Sequence, residues 1–95
     1  MNRVCLIGRL TAKPELRTTS SNISTTRFTL AVNRNYKNEE GIYETDFIKC
    51  KCFHNIAENT LEYCKIGDLI GIKGQLQNED KNMIVLADRI TFLKS

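Results

Sequence analysis

A chain of 95 residues has room for one domain with a modest core, and no second domain is expected beside it. Fourteen Lys and Arg against 11 Asp and Glu give a net charge of +3, too slight by itself to announce a polyanionic partner. The apolar run in M-N-R-V-C-L-I-G-R-L is too short and too interrupted for a signal peptide or a membrane span, so a soluble cytoplasmic protein without membrane contact is expected. Charge is unevenly spread: Arg3, Arg9, Lys13 and Arg17 stand against Glu15 alone in the opening stretch. Cys5, Cys50, Cys52 and Cys64 all lie within apolar patterns, where a reduced thiol behaves as a small hydrophobe.

Residues 2–10 alternate as a strand, with Val4, Leu6 and Gly8 on one face and Arg3, Cys5, Ile7 and Arg9 on the other. Apolar residues on both faces suit a strand between a core and a second subunit. Pro14 breaks the run, and Glu15 to Thr18 resumes extended pairing. The polar segment Thr19–Ser24 reads as a loop. Phe28, Leu30 and Val32 then mark the core face of a second long strand. K-N-E-E-G at Lys37–Gly41 is a hairpin connection closed by glycine. Tyr36 has the parity of the core residues, so it reaches the opposite face only through a bulge or beyond the edge of the fold.

The strand from Ile42 to Phe53 carries the most informative pattern, D-F-I-K-C-K-C-F-H at Asp46–His54. Alternation places Ile48, Cys50 and Cys52 on an apolar face, and Phe47, Lys49, Lys51 and Phe53 on the other. Two rings bracketing two ammonium groups are hard to bury, because each charge would need a partner. Such a face suits a surface on which bases stack and phosphates are attracted. An oligomer contact or a solvated face gives the same pattern.

Beyond Phe53 the period changes: Asn55 and Glu58 form a capping-box-like pair, Ala57, Leu61 and Cys64 share a helical face, and Gly67 follows the last turn. One short helix is expected over Ile56–Lys65. Asp68–Gln77 returns to a strand in which Gly71 and Gly74 suggest a bend or close backbone approach. Asn78–Asn82 is a tight polar turn, and Met83–Leu93 a final strand.

Cys50, Cys52 and His54 are metal-ligand types on one strand face, but extended residues two apart lie roughly 6.5 to 7 Å from each other. Sulfurs sharing a zinc at about 2.3 Å approach to about 3.8 Å, so no metal site and no cofactor is expected. His54 is the one imidazole, the carboxylate pairs Glu39–Glu40 and Glu79–Asp80 occupy turns, and no phosphate-binding glycine loop or nucleophile elbow is present. These features argue against an enzyme.

Three strands, a helix and two further strands with glycine-containing bends match an all-β fold with one short helix, the five-stranded Greek-key barrel of the OB type. At the level of whole motifs the chain resembles the bacterial single-stranded DNA-binding protein family. The resemblance is carried by M-N-R-V at Met1–Val4, I-G-R-L at Ile7–Leu10, K-P-E-L-R at Lys13–Arg17, F-T-L-A-V-N-R at Phe28–Arg34 and D-F-I at Asp46–Ile48. It continues through A-E-N at Ala57–Asn59, G-Q-L at Gly74–Leu76, A-D at Ala87–Asp88 and F-L at Phe92–Leu93. It implies an OB-fold that binds single strands with little sequence preference, as a homo-oligomer, with a tetramer ahead of a dimer. Carried onto this chain, Phe47, Phe53 and Tyr36 fall at stacking positions, Lys49 at a basic position between the first two, and Arg17 at one in the P-E-x-R segment.

Three departures qualify what the resemblance implies. The hairpin joining the last two strands has shrunk to N-E-D-K-N, where Glu79 and Asp80 would repel phosphate. The family's acidic-tipped tail is missing, so tail-mediated recruitment of repair and replication enzymes is not expected. No Trp is present, so stacking falls to Phe and Tyr. The expected surface therefore has Lys49, Lys51 and Arg34, extended by Arg3, Arg17 and Lys73, against phosphates, and Phe47, Phe53 and Tyr36 against bases. The second reading is an interaction module like the primosomal replication proteins of the same fold, which bind protein partners as well as single strands. A face of Phe47 and Phe53 sealed in a subunit interface would mark that reading.

Overall fold

A computed structural model describes residues 1–18, 20–53 and 61–95. Six strands form one sheet: β1 (Val4–Leu10), β2 (Glu15–Thr18), β3 (Ser24–Lys37), β4 (Tyr43–Phe53), β5 (Leu69–Glu79) and β6 (Asn82–Lys94). Their order is β1-β5-β6-β4-β3-β2, and a further antiparallel pairing of β1 with β3 closes five of them into a barrel. β2 extends the sheet as a short arm on β3. The parallel step from β4 to β6, with Cys50 opposite Val85 and Lys51 opposite Leu86, completes the OB-type topology expected from the element order.

The even-numbered residues of β3 and β4 fill the barrel as their alternation predicts. Phe28, Leu30, Cys50 and Cys52 are buried with Leu10, Ile70, Ile72, Val85, Ala87 and Ile90. In β6 the buried parity changes from odd at Val85 and Ala87 to even at Ile90. The cause is a register shift that pairs Gly74 with Ala87 and Lys73 with Arg89, leaving Asp88 as the extra residue of a bulge. Two glycines permit the close approaches of the closed barrel. A Cβ on Gly8 would strike the carbonyl oxygen of Ala31, and one on Gly74 the carbonyl oxygen of Leu86. At Gly71, also expected to mark a bend, a Cβ would meet the Leu93 side chain at 3.5 Å, an ordinary contact.

The hairpin between β3 and β4 is built by Asn38. Its Oδ1 accepts from the backbone N–H groups of Glu40 at 2.9 Å and Ile42 at 3.0 Å, and Gly41 takes a positive φ of 79° to close the turn. The hairpin between β5 and β6 is tighter than the expected Asn78–Asn82. Asp80 adopts φ 56°, a conformation its short polar side chain tolerates, so pairing runs up to Glu79 opposite Asn82. Ahead of β1, the Asn2 side-chain amide imitates a strand residue, donating to Leu76 O at 2.8 Å and accepting from Leu76 N at 2.9 Å.

Half of the expected helix over Ile56–Lys65, residues 56–60, lies outside the described residues. Of its described part, Leu61–Tyr63 is a single 3-10 turn, and Cys64 and Lys65 follow it. There the buried Asp68 carboxylate accepts from the Lys65 backbone N–H at 2.7 Å and turns the chain into β5. Among the described residues, no helix is long and apolar enough to cross a membrane.

Candidate nucleic-acid interface

Antiparallel register places side chains that face each other across a sheet on the same side. Across β2, β3 and β4 the outer side therefore consists of rungs. Arg17, Thr25 and Phe53 form one; Glu15, Arg27 and Lys51 the next; then Thr29 with Lys49, Ala31 with Phe47, and Asn33 with Thr45. Phe47, Lys49, Lys51 and Phe53 thus share a face, with Cys50 and Cys52 buried on the other. Phe47 is 68% exposed and Phe53 43%. Thr45 Oγ1 donates to Asn33 Oδ1 at 2.7 Å, fixing the outermost rung.

The cations of this face differ in what already occupies them. Lys49 is exposed, with uncharged Thr29 beside it. Arg17 meets Glu15 at 3.2 Å in an ion pair whose two side chains are each about two-thirds exposed, the kind of pair that contributes little. Lys51 is different: its ammonium lies 3.1 Å from Glu79 Oε2 and 5.5 Å from the centre of the Phe53 ring. Glu79 also takes both guanidinium arms of Arg27, Nη1 to Oε1 at 2.5 Å and Nη2 to Oε2 at 2.9 Å. These hydrogen bonds, Arg27 first and Lys51 second, hold the Glu79 carboxyl down at about 2, and the same fork raises the pKa of Arg27. Glu79, expected to repel phosphate at the hairpin tip, is thus an ion-pair partner of the face.

Arg34 has the parity of the core residues and lies past the barrel end. Its Nε and Nη2 reach Asp46 at 3.1 and 3.0 Å, and its Nη1 reaches Glu44 at 2.9 Å. The Asp46 hydrogen bonds raise the Arg34 pKa and lower that of Asp46. These bonds place Arg34 with the even-numbered residues of β4, off the Phe47 side. Tyr36, 60% exposed, lies where the β3–β4 register shifts between Asn33 and Lys37, an irregularity of the kind a residue of core parity needs to reach the Phe47 side. Lys73 is exposed on β5 between Cys5 of β1 and Arg89 of β6, away from β4, and Arg3 is exposed just ahead of β1. The structure thus brings Phe47, Phe53, Lys49, Lys51 and Arg17 together, and sets Arg34, Lys73 and Arg3 apart from them.

Arg27 escaped the sequence reading. Its signal was parity: it shares odd numbering with Thr29 and, through the hairpin, stands opposite Lys51. Cys50 and Cys52 are core residues whose thiols burial pushes up to about 12 and about 11, with Cys52 adding to the effect on Cys50.

The model of the single-strand binding protein family matches residues 1–83. The chain is 43% identical to single-stranded DNA-binding protein 3 of Listeria innocua, over 100% of this chain and 65% of that protein. It is 42% identical to single-stranded DNA-binding protein B of Bacillus subtilis, over 97% of this chain and 89% of its relative. With single-stranded DNA-binding protein 1 of Staphylococcus aureus strain COL it shares 49% identity over 84% of this chain and 48% of that protein. The chain thus spans less than two thirds of the Listeria and Staphylococcus proteins and most of the Bacillus one.

Proposed function

Since the chain belongs to the single-strand binding protein family, we propose that it binds unpaired DNA across the outer side of β2, β3 and β4, with little sequence preference and no chemical step. The observation that carries this reading is the pair of exposed rings, Phe47 and Phe53, on one strand face with Lys49 between them. Bases lie on the rings, and Tyr36 at the end of β3 adds a third. Phosphates meet Lys49 and, once it leaves Glu15, Arg17. Every base offers a flat surface, so discrimination among sequences is weak. A duplex hides those surfaces and binds poorly. Membership of the single-strand binding protein family favours this reading over a face sealed against a partner protein.

The protein acts in the cytoplasm, in replication, recombination or repair, as a homo-oligomer. Its subunits meet through the outer side of β1, where Cys5 and the exposed Ile7 border a shallow groove of about 380 Å³ with Gly71, Lys73 and Leu93. Sedimentation at micromolar protein should give a dimer or tetramer, and a monomer there contradicts the assembly.

The deciding experiment is a titration of the protein's tyrosine emission with a thymine homopolymer, the matching duplex and an RNA of the same sequence, at two salt concentrations. Binding of the homopolymer at low salt, weakening as salt is added, with little binding of the duplex, is the expected result. Failure of the homopolymer to associate, or equal binding of the duplex, overturns the reading.

A further inference from the structure

The outer side of β2–β3–β4 is electrostatically divided. At the Phe53 end, Arg17, Arg27 and Lys51 are matched by Glu15, Glu79 and Asp80, and all three carboxylates act on Arg27. At the Phe47 end, Lys49 is accompanied by Thr29, Ala31, Asn33 and Thr45, none of them charged. The two ends share a fold and differ in whether their cations are already occupied.

The occupant is Glu79, and its geometry resembles a bound anion more than a chance surface contact. Two oxygens take a guanidinium fork and an ammonium at 2.5, 2.9 and 3.1 Å, which is the way a phosphate would be gripped by the same groups. The side chains are partly shielded: Arg27 is 34% exposed, Glu79 28% and Lys51 14%. Shielding and a bidentate fork distinguish this cluster from the Arg17–Glu15 pair, which solvent screens. The carboxylate is also held from behind, because pairing of β5 with β6 runs to Glu79 itself and the turn that follows is only Asp80 and Lys81. A two-residue turn leaves little slack for the carboxylate to swing away.

We infer that Glu79 is a built-in competitor for phosphate, seated between Arg27 and Lys51, so that these two cations are withheld from a bound single strand and its backbone is gripped mainly at the Lys49 end. This rests on the proposed binding of single strands. It makes Glu79 a determinant of affinity and of salt response that touches no nucleotide.

The test is Glu79→Gln, which keeps the shape and removes the charge, measured with a thymine homopolymer over a range of salt. Freeing two cations should steepen the salt dependence by up to about 1.4, at about 0.7 per phosphate neutralised on a single strand, and tighten low-salt binding roughly tenfold. In the unaltered protein, Arg27→Ala should change affinity less than about twofold; in the Glu79→Gln background the same substitution should cancel most of the gain. Circular dichroism and thermal melting report whether each variant is folded. Should Glu79→Gln unfold, Glu79→Ala together with Arg27→Ala leaves Lys51 alone unpaired and should still steepen the slope by about 0.7. A slope and affinity unmoved by loss of the carboxylate in folded protein overturns the inference, as does a large loss from Arg27→Ala alone. Absence of binding by the unaltered protein instead overturns the functional reading beneath it, so the two failures are distinguishable.

Discussion

Phe47 stands directly opposite Ala31 on the outer side of the β3–β4 ladder, a large ring facing one of the smallest side chains. No bulky cross-strand partner covers the ring, which leaves it 68% exposed and adding little to the core. Phe47→Ala should therefore leave the melting temperature nearly unchanged while weakening homopolymer binding by about 1–3 kcal/mol, or about 5- to 150-fold. The salt dependence should keep its slope, because no phosphate contact is lost. Lys49→Ala should do the converse, flattening the slope by about 0.7. Equal slopes in the two variants would refute the division of labour between ring and ammonium.

Barrel closure depends on two positions where a side chain has no room. At Gly8 and Gly74 a methyl group would meet the backbone carbonyl of a neighbouring strand, which cannot rotate away as a side chain can. Gly8→Ala and Gly74→Ala should each destabilise the fold by about 1–3 kcal/mol in urea titrations. Gly71→Ala, whose methyl group would meet the Leu93 side chain at 3.5 Å and the Leu6 carbonyl oxygen at 4.0 Å, both ordinary contacts, should cost less.

The Glu79 cluster has a pH signature. Its carboxyl is lowered from the ordinary 4.5 to about 2 by the hydrogen bonds from Arg27 and then Lys51. A depressed carboxyl stabilises the fold fully above the unfolded value, and that contribution fades as pH falls through the folded one. The urea midpoint of the native protein should exceed that of Glu79→Gln by a constant margin at neutral pH. The margin should narrow between 4.5 and about 2. A margin unchanged across that window would show that the ion pairs contribute nothing to folding.

Thiol chemistry should separate core from surface. Cys50 and Cys52 are buried in the barrel, and burial raises both thiols far above neutrality, so neither solvent access nor thiolate is available. Iodoacetamide at neutral pH should leave both unmodified by mass spectrometry in native protein, and modify them once urea is added. Rapid native labelling of either would place it outside the core.

Much of this structure was legible because alternation is a strong signal where one face is buried. Cys50 and Cys52 between Phe47, Lys49, Lys51 and Phe53 announced a two-faced strand, and the register bears that out. Gly74 marked a close approach that the β5–β6 bulge realises. What stayed hidden depends on contacts between residues far apart in sequence. Period two could place Arg27 and Lys51 on one side of the sheet, but not the arrival of Glu79, 52 positions from Arg27, in the same cluster. Nor could it show that Arg34 would be engaged by Glu44 and Asp46 across a hairpin, since that requires the register as well as the parity.

The clasp between Asn2 and Leu76 spans 74 positions, so the end of the chain synthesised first is fastened late. β1 lies between β3 and β5, and its longer ladder is with β5, which leaves the ribosome long after β1 has emerged. Until β5 emerges, Leu6 and Leu10 have no closed barrel to enter, and the growing chain carries an open half-sheet with a sticky margin. Completion of the barrel thus waits on β5, and a nascent chain stalled before Leu76 should be held by chaperones that ignore the closed barrel.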